Sequence, residues 1–163
     1  RLRSATTSIT RSEPAPMTSR DLSLICYDEP PAAVTALVDE GLGRSNDAAA
    51  PLHEVRPLAC VARLDDGAVI GGAIGRTWGP CCELQQLWVH PEHRRRGVGT
   101  RLVRAFESAA KRRGCLTFYL ETFTFQAPGL YAALGYAVAY EHAVYPHGIV
   151  RYCMVRNDDP RRL

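Results

Sequence analysis

A run of arginines and glycines stands between a strand-like and a helix-like segment of this chain. The segment is ELQQLWVHPEHRRRGVGTRLVR, residues 83–104, and its loop residues are Arg94, Arg95, Arg96, Gly97, Val98, Gly99 and Thr100. The first N–H groups of a helix have no intrahelical partner and lie at the positive end of the helix dipole. Glycine lets the backbone approach a ligand closely because it has no Cβ. We therefore predict a phosphate-like anion on the main-chain amides of residues 95–100.

The spacing of the glycines excludes two common nucleotide-binding loops. The dinucleotide fingerprint GxGxxG needs a third glycine, but Arg101 and Leu102 follow Thr100. A Walker A loop needs Gly-Lys-Ser/Thr, which this segment lacks. The anion is therefore expected to belong to a different kind of ligand.

Hydrophobic periodicity and turn residues predict the elements around this loop. The predicted strands are Leu22 to Tyr27, Val55 to Leu64, Ala68 to Trp78, Cys81 to Val89, Leu116 to Glu121, Tyr136 to Tyr140 and Ile149 to Val155. The predicted helices are Pro31 to Gly41, Val98 to Arg113 and Ala127 to Leu134. Strands come first and then alternate with helices, an order that indicates a mixed α/β or α+β sheet with helices on its faces. Three glycines, Gly71, Gly72 and Gly75, further predict a bulge or a close backbone approach within one strand.

Composition and charge are typical of one globular domain. The chain has 163 residues, of which 46% are hydrophobic and 23% charged, with a formal net charge of +3. A polar arm over residues 1–20 is expected to be flexible, with Met17 as the natural start, followed by a domain over residues 21–157 and a tail over residues 158–163. The six cysteines form no C-x-x-C pair, which predicts free thiols in a reducing compartment. No run approaches the roughly 18 apolar residues of a membrane helix, so a cytoplasmic protein without a membrane partner is expected.

A second motif lies further along the chain, in YLETFTFQAPGLYAALGY, residues 119–136. Here a short predicted helix carries Tyr131 and ends in the step Gly135-Tyr136. Together with Arg94-x-x-Gly97-x-Gly99, this pattern resembles the GNAT acetyltransferase superfamily, and the resemblance covers about residues 22–156. Three further stretches are similar to one bacterial branch of that superfamily: Leu87-Trp88-Val89, Thr122 to Ala127, and Tyr145-Pro146-His147-Gly148.

The resemblance implies a single GNAT-like domain, with a splayed central sheet of about seven strands flanked by about four helices. The sheet would open where the strand Cys81 to Val89 parts from the strand Leu116 to Glu121, and acetyl-coenzyme A would lie in that opening. The implied cofactor-binding residues are Leu87, Trp88, Val89, Arg94, Arg95, Arg96, Gly97, Val98, Gly99, Thr100 and Gln126. Gln126 stands where many members of the family have an asparagine. No metal is implied.

The same resemblance implies direct acetyl transfer from the thioester to an amine, without an acyl-enzyme. An amine with a pKa near ~10 must lose a proton, a developing oxyanion must meet an N–H donor, and the departing thiolate must be protonated. Tyr131 matches the family's thiolate-protonating tyrosine, and the Val89 N–H matches the oxyanion donor. Glu83 is the first candidate base and Glu121 is the second. Strict alternation would place Glu83 on the same strand face as Leu87 and Val89.

The acceptor is expected to be a small-molecule or peptide amine, in a pocket formed by Arg44 to Pro51 and Tyr140 to Gly148. Each catalytic candidate also has a plainer interpretation, with Tyr131 as a packing aromatic and Glu83 as a solvated carboxylate. The alternative function is a non-catalytic acyl-coenzyme A sensor of the same fold. A nucleic-acid partner for the arginine loop is not expected, because the net charge is small and surface aromatics do not interleave with the arginines. Resemblance alone suggests a homodimer through the last strands.

Overall fold

A computed structural model describes residues 22–158 of the chain. The arm predicted over residues 1–20 lies outside this range, and so does the predicted tail apart from Asp158. The chain divides into two compact units, with the boundary between Arg44 and Ser45. No helix among these described residues is long and apolar enough to cross a membrane.

Residues 22–158 form six strands and three α-helices. The strands are β1 Arg56–Arg63, β2 Val69–Trp78, β3 Cys81–Val89, β4 Thr117–Phe123, β5 Ala137–His142 and β6 Arg151–Asn157. The helices are α1 Ala32–Ala49, α2 Val98–Arg112 and α3 Pro128–Ala133, and short 3₁₀ turns occupy Leu52–Glu54, Pro91–His93 and Pro146–Gly148. The mixed α/β architecture is confirmed, and the described residues have one strand and one helix fewer than the resemblance implies.

The difference from the prediction lies near the start of the described chain. Residues 22–27, predicted as a strand, form no regular secondary structure, and their side chains are exposed. Helix α1 extends well beyond its predicted end at Gly41. A glycine inside a helix costs only about 1 kcal/mol, whereas Pro51 is the next residue that strongly breaks a helix. The polar connection predicted over residues 44–51 is therefore mostly helical.

The second unit is built on one sheet with the strand order β1-β2-β3-β4-β6-β5. β3 and β4 are parallel, and every other neighbouring pair is antiparallel. Helix α2 packs across β1, β2 and β3, because its apolar side chains recur on one face. The buried core includes Leu58, Ala73, Cys82, Leu84, Leu102, Val103, Phe106, Ala110, Phe118, Leu120 and Met154.

The parallel strands β3 and β4 separate partway along their length. Their pairing ends where Leu84 lies opposite Leu120. Beyond that point β3 stays paired with β2 as far as Val89, and β4 stays paired with β6 as far as Phe123. The sheet therefore opens between two of its inner strands, at the place that the resemblance implies.

Strand β3 contains a bulge just past the point where the two strands separate. Ile74 of β2 lies opposite Gln86, but the next residue, Gly75, lies opposite Leu84. Gln85 is therefore an extra residue that has no partner of its own across the ladder. The glycine-rich strand β2 is the partner of this bulge.

The bulge reverses the side-chain alternation along β3. Leu84 belongs to the buried core and Leu87 and Val89 pack against that core, although strict alternation would separate Leu84 from the other two. Glu83, next to Leu84, faces the opposite side. The prediction that Glu83 shares a face with Leu87 and Val89 is therefore wrong, because one extra residue moves every later side chain to the other face.

Gly75 lies beside the bulge, at a point where no side chain fits. A Cβ at this position would collide with the carbonyl oxygen of Glu83 and would lie 2.9 Å from Cζ of Phe106. The close backbone approach predicted for the glycine-rich strand is confirmed here, because β3 and α2 both press against the same residue.

Replacing Gly75 with alanine is expected to lower the free energy of unfolding by about 1–3 kcal/mol, the usual cost of overpacking a core. Gly72→Ala is the matched control in the same strand, because a Cβ at Gly72 would meet its nearest atom, the Cys60 carbonyl oxygen, at an ordinary 3.5 Å. Urea denaturation of both variants measures the difference. Equal stability of the two variants would contradict the close packing at Gly75.

Candidate active site

A cleft of about 810 Å³ lies at the opening of the sheet. Its walls are the second half of β3, the loop that leads into α2, the end of β4, and α3. The predicted site residues that line it are Leu87, Trp88, Val89, Arg94, Arg95, Gly97, Val98, Gly99, Thr100, Glu121, Gln126 and Tyr131. Glu83 and Arg96 are not part of this lining. The volume is typical of cofactor and small-molecule sites, which span ~300–1,000 Å³.

The loop ahead of α2 presents main-chain donors to the cleft. No side chain caps the helix at Gly97, and the Arg101 N–H donates to the Gly97 carbonyl at 3.0 Å as the first bond of the helix. The N–H groups of Val98, Gly99 and Thr100 precede that bond and have no helical acceptor. Because the positive end of the helix dipole lies at the same place, the loop favours an anion.

The shape of this loop depends on two residues with positive φ and on one arginine side chain. Arg95 has φ 56° and Gly97 has φ 77°, a backbone conformation that is uncommon for a residue other than glycine. The Arg94 Nε donates a hydrogen bond to the Val89 carbonyl oxygen at 2.9 Å. The Arg94 side chain therefore ties the loop to the end of β3, while the amides remain available to a ligand.

The main chain of β3 also presents a donor to the opening. The His90 N–H donates to the Ile70 carbonyl of β2 at 2.8 Å. Along an extended strand the N–H groups of successive residues point to opposite sides. The Val89 N–H therefore points away from β2, toward the side from which β4 has separated.

Tyr131 lies in α3, with only 7% of its surface exposed, on the wall of the cleft. Its ring packs edge-on against Tyr136 with centroids 6.1 Å apart. The Tyr136 N–H donates to the Tyr131 carbonyl at 3.0 Å, which closes the end of the helix beside Gly135. Burial raises the pKa of Tyr131 above its usual value, so the hydroxyl stays protonated and can donate a proton or a hydrogen bond.

A buried polar cluster behind Tyr131 holds α3 in place. The Tyr136 hydroxyl donates to Glu107 Oε1 at 2.9 Å, and Arg156 Nη1 contacts the same oxygen at 3.0 Å. Arg156 also donates to the Leu134 carbonyl at 3.1 Å. Burial first, and then the Glu107 carboxylate, raise the pKa of Tyr136 far above its usual range, so its hydroxyl is fixed as a donor.

Sequence reasoning missed this cluster. The available signal was Glu107, a carboxylate among the apolar residues of α2, which is 5% exposed in the folded protein. A buried charge needs a partner, but the sequence does not reveal which of the many arginines supplies it. That arginine, Arg156, comes from β6, and its guanidinium also lies over the Phe118 ring at 4.9 Å.

The two candidate bases lie in different cavities. Glu121 lines the cleft that contains Tyr131, and its carboxylate lies 3.3 Å from Arg151 Nη1. Glu83 lines a second cavity of about 680 Å³. There it pairs with Arg76 Nε at 2.5 Å and accepts a hydrogen bond from Gln85 at 3.2 Å.

Gln126 has a structural role in addition to its place in the cleft. Its side-chain oxygen accepts hydrogen bonds from the Phe123 N–H at 2.9 Å and from the Thr122 hydroxyl at 3.2 Å. The side-chain amide nitrogen, a donor only, is the part that remains for a ligand. The Gln126 side-chain oxygen thus takes the place of a main-chain acceptor for the Phe123 N–H at the end of β4.

All six cysteines are free. Cys82 and Cys115 are buried, Cys26 is exposed, and the other three are half-buried. Burial is the main cause that raises the pKa of the Cys82 thiol to about 12, and it also raises the pKa of Cys115. Neither buried thiol is therefore a reactive nucleophile at neutral pH.

A group of potential metal ligands lies on the turn between β3 and α2. The ligand atoms of His90, Glu92 and His93 all lie within 4.8 Å of one another. His90 Nδ1 is buried and has no hydrogen-bond partner among the described residues. None of the three residues lines the cleft, so this group is separate from the residues around Tyr131.

The open sheet and its amide-lined cleft agree with what the comparison with known families shows. The chain belongs to the GNAT acetyltransferase family, because the family model described as "Acetyltransferase (GNAT) family" matches residues 25–136. The protein is therefore an enzyme of the acyltransferase class.

Individual relatives agree with this assignment. The blasticidin-S acetyltransferase of Streptomyces morookaense is 34% identical over 110 residues, which cover 65% of this chain and 81% of that protein. The crystal structure of an acetyltransferase from Bacillus cereus matches with a TM-score of 0.68 at 21% identity, covering 82% of this chain and 97% of that chain. An aminoglycoside 6'-N-acetyltransferase complexed with coenzyme A matches with a TM-score of 0.58 at 21% identity, covering 65% of this chain and 75% of that chain. At such identities the two structural matches establish the fold alone.

Proposed function

We propose that the protein transfers the acetyl group of acetyl-coenzyme A directly to the nitrogen of an amine. The observation that carries the proposal is the 810 Å³ cleft, which joins the amide-lined start of α2 to Tyr131. Support comes from the structural relative with bound coenzyme A and from the blasticidin-S acetyltransferase.

The residues of the cleft fit this cosubstrate. The free N–H groups at the start of α2 suit a pyrophosphate, and a Cβ at Gly97 would meet no protein atom within 4 Å, so open space lies beside that backbone. Beyond Leu84, the edge of β3 that faces β4 is unpaired. Its main chain offers hydrogen bonds to the amides of a pantetheine chain, in the manner of an added strand. Trp88 and Gln126 complete the wall on either side.

The cosubstrate supplies an activated acetyl thioester, whose C–S bond breaks as the bond between the acetyl carbon and the amine nitrogen forms. The Val89 N–H points into the opening and is suited to bind the carbonyl oxygen as it gains negative charge. The protonated Tyr131 hydroxyl is suited to supply a proton, or a hydrogen bond, to the departing sulfur. No nucleophile on the protein takes part.

Glu121 is the better placed of the two candidate bases. It lines the same cleft as Tyr131, whereas Glu83 lies in the second cavity. Each carboxylate pairs with an arginine, but the pair of Glu83 with Arg76, at 2.5 Å, is closer than that of Glu121 with Arg151, at 3.3 Å. The Glu121 side chain is 53% exposed, so water can also carry the proton away from the amine. We therefore assign the amine-facing role to Glu121, and a structural role to Glu83.

Glu121→Gln is expected to lower kcat by about 5- to 10-fold, less than the usual ~10²–10⁴ for a general base, because water reaches the exposed carboxylate. Glu83→Gln is the matched control and should leave kcat within ~2-fold. Steady-state thiol release at saturating acetyl-coenzyme A measures both. The opposite pattern, with Glu83→Gln as the slow variant, would assign the base to the second cavity.

The proposed function is tested by calorimetric titration with acetyl-coenzyme A, followed by a thiol-release screen. Blasticidin S is the first acceptor to try, because a relative is named for it; aminoglycosides, free amino acids and lysine peptides extend the panel. Binding followed by acceptor-dependent thiol release is the expected result. Binding without release from any amine would favour a non-catalytic sensor, and a protein that does not bind acetyl-coenzyme A would refute the proposal.

A further inference from the structure

Three aromatic side chains cluster where β4 ends, and we name Phe123, Phe125 and Tyr145 together the aromatic stack. The Phe123 and Phe125 rings are parallel, with centroids 5.2 Å apart and an interplanar angle of 13°. The Tyr145 ring meets Phe123 edge-on at 5.5 Å and 74°. Both arrangements are favourable for aromatic pairs, so the three rings support one another.

Phe125 is exposed in spite of this packing. Its relative exposure is 67%, and it lines the same cleft as Glu121 and Tyr131. Phe123 covers one side of the Phe125 ring, which leaves the other side free. A large apolar ring that is held in this way at the wall of a cleft is a surface that a ligand can cover.

The backbone around Phe125 is fixed by hydrogen bonds on both sides. The Gln126 N–H donates to the Phe123 carbonyl at 2.9 Å, and the Thr124 N–H donates to the Val150 carbonyl at 2.9 Å. The Val150 N–H in turn donates to the Thr124 hydroxyl at 3.3 Å. The ring is therefore held in position before a ligand arrives, which reduces the entropy cost of binding.

We propose that the acceptor amine carries a planar aromatic or heteroaromatic ring, which stacks on the free face of Phe125. This inference rests on the proposed acetyl transfer, because it places the ring of the acceptor beside Glu121 and Tyr131, where the amine must react. A planar ring gains more from a parallel aromatic face than a puckered ring of the same size. Phe125 is thus a specificity-determining residue, and Phe123 and Tyr145 are its positioning residues.

The test compares two amines with the same ethylamine chain and a six-membered ring that is planar and aromatic in one and saturated and puckered in the other, 2-phenylethylamine and 2-cyclohexylethylamine. At saturating acetyl-coenzyme A, kcat/KM is expected to be roughly 3- to 10-fold higher for the planar amine. Phe125→Leu should remove this preference without changing the KM for acetyl-coenzyme A. Val69→Ala is the control, because it truncates another exposed apolar side chain that lines neither cavity, and it should keep the preference.

Equal kcat/KM values for the two amines in the unmodified protein would overturn the inference and leave the proposed acetyl transfer intact. A higher KM for acetyl-coenzyme A in Phe125→Leu would also overturn it, because the ring would then serve the cosubstrate. If neither amine is acetylated, saturation-transfer NMR of both amines with the coenzyme A-saturated protein decides the inference by itself. Selective binding of the planar amine that Phe125→Leu abolishes would support it, and equal or absent binding of both would overturn it.

Discussion

Gly97→Val is expected to raise the KM for acetyl-coenzyme A by at least ~100-fold, or to abolish binding, while the fold is retained. The valine side chain would meet no protein atom close to its Cβ, so the space that it occupies is the space beside the loop amides. Losing two hydrogen bonds to a charged phosphate, each worth about 1.5–3 kcal/mol, accounts for a change of this size. Calorimetric titration and the dependence of thiol release on acetyl-coenzyme A both measure it.

The control for this variant must separate blocked binding from backbone strain. Gly97 has φ +77°, where a β-branched residue is strained. Gly67 has φ +89° in the turn between β1 and β2 and also has open space at its Cβ. Gly67→Val therefore carries the same kind of strain away from the cleft. It should lose stability and keep its KM; an unchanged KM in Gly97→Val itself would remove the loop from the binding site.

Tyr131→Phe is expected to lower kcat by ~10- to 100-fold and to leave the KM for acetyl-coenzyme A nearly unchanged, because the hydroxyl acts on the sulfur only as it departs. The ring packs against Tyr136 and would do so equally as phenylalanine, so stability should change little. Tyr152→Phe is the matched control: this half-buried tyrosine of β6 packs against the core and lines neither cavity. A Tyr131→Phe variant as fast as Tyr152→Phe would reduce Tyr131 to a packing residue.

The pH dependence of kcat gives a second measurement on Tyr131. A proton donor acts in its protonated form, so its contribution is present below its pKa and disappears as the pH rises through it. Burial raises the pKa of Tyr131 above the usual value of about 10. The alkaline limb of the kcat profile is therefore expected above pH ~10, and it should be missing in Tyr131→Phe. A decline that begins near neutral pH and is absent from Tyr131→Phe would contradict this assignment.

The elements next to the cleft were predictable because their signals are local. β3 has the predicted bounds, Cys81–Val89, and α2 begins at the predicted residue, Val98. The loop between them combines glycines, a turn proline and a start of helical periodicity within a few residues. The free main-chain amides of the loop follow from the geometry of a helix N-terminus, where the first N–H groups have no intrahelical partner.

The features that sequence reasoning missed depend on contacts between distant parts of the chain. The glycines of β2 predict a bulge or a close approach within their own strand, but the extra residue, Gln85, lies in the partner strand β3 and is set by how β3 pairs with β2. Its effect is large, because it turns Leu87 and Val89 to the face of β3 opposite to Glu83. The pairing of Glu107 with Arg156 likewise joins α2 to β6, and only the folded chain selects that arginine among nineteen arginines and one lysine.

The separation of β3 from β4 gives this sheet an edge in its interior. A strand edge at the outside of a sheet is open along its length and invites pairing with another molecule, which is a route to aggregation. The edge inside this sheet begins at a closed vertex, where Leu84 lies opposite Leu120, and it is only a few residues long. An extended molecule that pairs with this short edge therefore fills it, and no further strand can add beside that molecule. The protein can thus offer strand-like hydrogen bonding to a slender ligand without offering the same bonds to a second protein chain.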